Sequence, residues 1–187
     1  MNRVLKRSWH FSSAGRGLLL IAATVVFSLN LPAADTPVHV QLTTNKAGPR
    51  TVESLTQQGI LRDYRLAWTS MAQALEFNTS DPLEGPFAGE VKHQLIETVN
   101  QQQSSGLSQR YVDQNHRVEA VFYAPEGDVM ELHDTAEYQH QVLDGGKIIR
   151  DEHVVMHYVV LMTPAADRWV VRQLQAVPQF GSSSPAR

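Results

Sequence analysis

The sequence predicts an α+β domain, with N-terminal helices packed on a bent four-stranded antiparallel sheet and a single apolar helix ahead of them. Three observations carry this. The apolar period changes once along the chain, from about 3.6 residues to 2, near Tyr111. The second half is cut by three short Gly- or Pro-bearing turns, "APEGD", "LDGGK" and "TPAADR", the spacing of a strand meander. The first 34 residues hold an uncharged apolar run behind a basic flank.

That front end comes first. Arg3, Lys6, Arg7 and Arg16 precede "GLLLIAATVVFSL" (17–29), with no acid before Asp35. The pattern is that of a signal peptide or an uncleaved anchor, extended to residue 34 if it spans a membrane, where about 20 apolar residues are needed. The basic flank stays cytoplasmic under the positive-inside rule, so the body faces outward. The expectation is an inner-membrane protein with a periplasmic domain, or a periplasmic protein if the segment is cleaved.

The body is acidic. The remaining 12 of the 16 basic residues face all 19 acids, a balance of −7 within the formal −3 of the whole chain. Nucleic-acid binding draws its affinity from basic neutralisation of phosphates, so it is not expected. There is no cysteine, which excludes disulfides, thiolate metal sites and cysteine nucleophiles.

Residues 35–52 mix Thr, Pro and Gly without a period and read as a linker. A helix then starts near Glu53, because Leu61, Tyr64, Trp68, Met71 and Leu75 follow helical spacings down one face. Ser80 or Asp81, with Pro82 behind it, is placed to start a second helix. Val91, Leu95, Ile96 and Val99 mark a third, ending in "QQQSSG". Four strands follow: "HRVEAVFY", "VMELHDTAEYQHQV", "IIRDEHVVMHYVVLM" and "WVVRQLQAV". The tail, 179–187, reads as disordered.

The helix order, the long hairpins and the terminal "DRWVVRQL" strand resemble the nuclear-transport-factor-2-like cone fold, over roughly residues 55–178. Within it, the chain is similar to membrane-tethered members such as the C-terminal domain of chloroplast and cyanobacterial division proteins. The anchor-then-cone plan is also that of the inner-membrane scaffold subunits of bacterial type IV secretion. The resemblance implies a bent sheet around helices with a central cavity. It fixes no activity, since the fold hosts isomerases, dehydratases, binding pockets and scaffolds. No family motif marks catalytic positions here.

One stretch raises chemistry, "RDEHVVMHYVV" (150–160). A zincin helix needs H-E-x-x-H, and here Val154 stands in the second position. The β-branched content and the preceding Gly145-Gly146 predict a strand instead. On a strand His153 and His157 lie about 13 Å apart, too far to share one metal. No metal and no cofactor are expected.

What faces them depends on register. A two-residue turn at Gly145-Gly146 pairs Asp144 with Lys147. Counting outward then sets Val142 against Ile149, His140 against Asp151, Tyr138 against His153 and Asp134 against His157. An Asp144-Gly145 turn shifts partners by two but keeps the same residues on the same face. The inner face then carries Asp134, Tyr138, His140, His153 and His157, with Val118, Ala120 and Phe122 from the strand before. Glu131, His133, Thr135, Glu137, Gln139 and Gln141 line the solvent face. Trp169 and Val171 are placed on an outward apolar surface, a docking candidate.

Two functions from different classes follow. One is a non-catalytic binding or scaffold domain of the envelope, for a protein partner or a small apolar ligand, with Tyr64, Trp68, Asp134, Tyr138, His153 and His157 lining the site. The other is a small-molecule isomerase- or dehydratase-type enzyme using Asp134 and His157 as an acid/base pair in the cavity. An open cavity reaching that pair favours the enzyme, and a filled one favours the scaffold. The sequence leaves monomer and dimer both open.

Overall fold

A computed structural model describes residues 37–180. The expected anchor and the tail beyond residue 180 lie outside these residues. Among them no helix is long and apolar enough to cross a membrane.

The fold is α+β, with two helices and a five-stranded mixed sheet. Strand β1 (His39–Thr43) leads into α1 (Ser54–Phe77), a single 3-10 turn (Asp81–Leu83) and α2 (Glu90–Ser105). Strands β2 (Leu107–Tyr123), β3 (Met130–Asp144), β4 (Lys147–Pro164) and β5 (Trp169–Val177) complete it, in the order β1-β2-β3-β4-β5.

The expected stripe builds α1. Ile60, Tyr64, Ala67, Trp68, Met71, Ala74 and Leu75 are buried against the sheet, while Leu61 is only partly covered. Asn78 ends the helix in the left-handed conformation (φ 52°) and ties the end to β2 by donating from Nδ2 to the Leu107 carbonyl, 2.8 Å. The second expected helix is only a three-residue turn. Pro82 suits the first turn of a helix, but Gly85 and Pro86 follow within one turn and leave no room for i→i−4 bonds. Instead Pro86 and Ala88 bond the Val171 backbone, at 2.9 and 3.0 Å.

The expected linker also contains structure. Val38, Val40 and Leu42 alternate with polar residues, and 39–43 form an edge strand parallel to β2. The parallel sense needs a long crossover, which α1 and α2 supply. The sheet is therefore mixed and five-stranded, against the expected antiparallel four.

The β3–β4 turn is the expected one: Gly145 and Gly146 take φ of 54° and 84°, and Asp144 pairs with Lys147. Two steps further the ladder slips. Leu143 pairs with Ile148, but Val142 pairs with Arg150, which leaves Ile149 as a bulge. Every pair beyond it moves by one residue. Because side chains alternate across a strand, this reverses the face presented by β4 from Arg150 onward.

Candidate functional site

Asp134 is on the inner face, as expected, but its cross-strand partner is Tyr158 and not His157. The bulge at Ile149 is the reason. His157 instead pairs with Thr135, whose hydroxyl lies 3.1 Å from its Nδ1, and His153 pairs with Gln139 and lies 3.0 Å from Glu137. Both histidines are on the outer face with His133. Phe180 stacks flat on His133 at 4.6 Å and lies 4.9 Å from His157. The His140–Asp151 pair does not form either: His140 lies 3.5 Å from Glu152 and Asp151 accepts from Gln139 and Gln141.

Other faces shift by the same kind of irregularity. A slip between Ala120 and Phe122 turns Tyr123 into the core and leaves Phe122 39% exposed. Trp169 and Val171 point inward and do not form an outer surface. Val171 is buried, and Trp169 packs edge-on to Tyr123 and against Gly59 of α1.

The inner site is built on Asp134, with no solvent exposure. Its Oδ2 accepts hydrogen bonds from the Tyr64 hydroxyl and from Nδ1 of His116, both at 2.7 Å. Tyr64 comes from α1 and His116 from β2, so three elements meet at one oxygen. A carboxylate acceptor fixes the histidine proton on Nδ1. The Trp68 ring lies 4.3 Å from His116, tilted by 45°. His116 belongs to no motif in the sequence, although it shares the parity of Val118 and Ala120.

A second polar contact sits beside it. The hydroxyls of Tyr138 and Tyr158 are 3.0 Å apart, and Trp68 contacts both rings, at 6.4 and 5.3 Å. Of the expected site residues, the structure thus brings together Tyr64, Trp68, Asp134 and Tyr138, adds His116 and Tyr158, and removes His153 and His157.

The electrostatics follow from enclosure. Burial, reinforced by the Asp134 charge, raises the Tyr64 phenol well above its ordinary range. Burial likewise raises Tyr111, Tyr138 and Tyr158, with Tyr138 adding to the shift at Tyr158. All four phenols are therefore neutral donors or acceptors at ordinary pH.

The Asp–His–Tyr cluster has the groups of an acid/base site, but among the described residues all three side chains are buried. The cleft between α1 and the sheet, lined by Tyr64, Ala67, Trp68, Met71, Phe87, Val171 and Leu174, has no room for a water molecule. His116 Nε2 and Asp134 Oδ1 are buried without a hydrogen-bond partner among the described residues. Among those residues there is also no group of three or more His, Asp or Glu able to hold a metal ion.

No family model matches the chain, and no curated protein matches it. Among solved structures, the intermembrane space region of chloroplast protein ARC6 is similar to it with a TM-score of 0.53 at 12% identity, covering 69% of this chain and 98% of that one. The likeness shows a shared fold. A de novo designed β-sheet protein matches at 17% identity over 67% of this chain and 93% of its own, with a TM-score of 0.35, too low to carry an argument.

Proposed function

We propose that the chain is an envelope protein, tethered to or exported across the inner membrane, whose nuclear-transport-factor-2-like domain binds a protein partner and catalyses nothing. The observation that carries this reading is the filled interior. Where a cone-fold enzyme has a cavity, Trp68, Tyr64, Tyr138 and Tyr158 occupy the space, and the cleft between α1 and the sheet admits no water. A substrate needs a concave site of some hundreds of Å³.

The acid/base alternative depended on Asp134 meeting His157, and these lie on opposite faces of the sheet. The buried Asp134 cluster serves instead to orient α1 against β2 and β3. The outward placement of the domain is supported by the basic flank ahead of the 17–29 run. The ARC6 region, described as lying in an intermembrane space, is a domain of similar fold in a comparable setting.

The test is a reporter active only outside the cytoplasm, fused after Arg187. Activity that requires residues 1–34 is the expected result, and a reporter active only in the cytoplasmic form refutes the placement. Recovery of the protein in the membrane fraction after a high-salt wash separates the anchor from the cleaved signal.

A further inference from the structure

Strand β4 is eighteen residues long, but β5 covers only part of it, pairing with His157 to Pro164. The chain leaves the sheet at Pro178, which has no N–H to continue the ladder, and Phe180 turns onto the outer face at His133. Lys147 to Met156 therefore form a free sheet edge among the described residues. On the opposite side β1 covers Asn115–Glu119 of β2, and the start of β2 beyond it is bonded to the helices through Asn78, Gln102 and Glu76. Along an edge, every second residue points its N–H and C=O outward, a template for another strand.

Three of the large apolar side chains that face solvent sit on this one segment: Ile148 at 42%, Ile149 at 55% and Val155 at 55% exposure. Charges of both signs lie between them, Arg150, Asp151 and Glu152. A bulge and charged residues are the usual means of blunting an edge. Here the charges are arranged so that the segment complements itself.

We infer that this edge pairs antiparallel with the same edge of a second copy, about a two-fold axis through Glu152. Hydrogen-bonded and non-bonded pairs alternate along an antiparallel ladder, so a two-fold axis must pass through a residue facing its own copy. With Glu152 at that point, Asp151 faces His153 of the second copy, Ile149 faces Val155 and Ile148 faces Met156. Arg150 to Val154 form the regular part of the ladder. Arg150 also lies diagonal to the second copy's Glu152, within reach of a long side chain.

Neighbouring registers do worse. Centring on Arg150 sets Ile149 and Ile148 against Asp151 and Glu152. Centring on Asp151 sets Val155 against Lys147 and brings together two carboxylates held only by the neutral amides of Gln139 and Gln141. Each Glu152, in contrast, already carries its own Arg150 at 2.8 Å with His140 at 3.5 Å. Facing carboxylates are therefore locally compensated with Glu152 at the axis and uncompensated with Asp151 there, while the Arg150 register fails on its apolar partners. The contact is a single strand pair, at the small end of interface sizes, so the dimer is a reversible one.

The chain has no cysteine of its own, which makes cross-linking a direct test. Single variants Asp151→Cys, Glu152→Cys and His153→Cys, with Gln58→Cys on the exposed side of α1 as control, are oxidised in the full-length chain in detergent solution. Facing Cα atoms are about 4.5–5.5 Å apart, inside the disulfide span of roughly 4.4–6.8 Å. The expected result is a linked dimer from Glu152→Cys and from an equal mixture of the Asp151 and His153 variants, but not from either of these alone. Sedimentation should show a concentration-dependent dimer whose dissociation constant rises at least about tenfold in Val155→Lys, with an unchanged circular dichroism spectrum. A wild type that stays monomeric at all concentrations overturns the inference. So does cross-linking that peaks at another position or is equal at Gln58.

Discussion

Tyr64 and His116 donate to the same oxygen of Asp134, each at 2.7 Å, and all three side chains are sealed from solvent. One acceptor thus joins a helix to two strands, and its removal leaves two donors stranded. Hydrogen bonds to a charged group are worth about 1.5–3 kcal/mol, and each unsatisfied buried group costs about 1–3 kcal/mol. Tyr64→Phe should therefore lower stability by about 1.5–3 kcal/mol, and Asp134→Ala by roughly 3–5 kcal/mol. The double variant should lose less than the sum, by about 0.5–3 kcal/mol, because both changes break the same bond. Urea unfolding measures all three. Strict additivity would show that the bond contributes nothing.

The tyrosines give a pH signature. Tyr64, Tyr111, Tyr138 and Tyr158, four of the five in the chain, have phenols raised by burial. Unfolded, each loses its proton at about pH 10. Above that pH the unfolded state binds fewer protons than the folded one, so stability falls as pH rises. The contribution is fully present below about pH 10 and is lost as pH climbs toward the raised folded values. Absorbance at the phenolate band should show these four ionising together with the loss of near-ultraviolet circular dichroism. Early reversible ionisation of all five in the folded protein would contradict the buried cluster.

The change of period located α1, α2 and the four antiparallel strands, because those signals depend on residues close in sequence. Strand β1 was equally legible in the alternation of Val38, Val40 and Leu42, but Thr, Pro and Gly around it suggested a linker. His116 was accessible by the same count that placed Val118 and Ala120 inside. The face of His153 and His157 was not. It turns on one bulged residue, Ile149, which stands eight residues before His157 in β4 yet decides its side. A single slip reverses every side chain beyond it, so a pairing argument that spans a bulge fails completely and not by degrees.

The bulge yields its own prediction. Deleting Ile149 leaves Leu143 opposite Ile148 and Val142 opposite Arg150, a regular ladder with every inner side chain in place. The deletion should be tolerated within about 1 kcal/mol, with amide chemical-shift changes confined to the hairpin tip. Deleting Val155 removes a residue from the unbulged ladder and reverses part of β4, so it should unfold the domain or force a new bulge. Equal damage from both deletions would mean that the bulge is not a local accommodation.

The filled interior is tested at Trp68, whose ring contacts Tyr64, His116, Tyr138 and Tyr158. Replacing it with Ala removes the largest fully buried side chain and should cost about 3–5 kcal/mol, since the surrounding strands relax only partly. A dry cavity lined by aromatic rings takes up small apolar molecules. Indole should therefore raise the melting temperature of the Trp68→Ala variant and leave that of the wild type unchanged, because the native cleft has no room for even one water. A comparable indole-induced rise in the wild type would mean that the native domain opens a ligand-sized cavity. The binding of a small apolar molecule, and with it a catalytic interior, would then have to be reinstated in place of a protein-binding domain with a solid core.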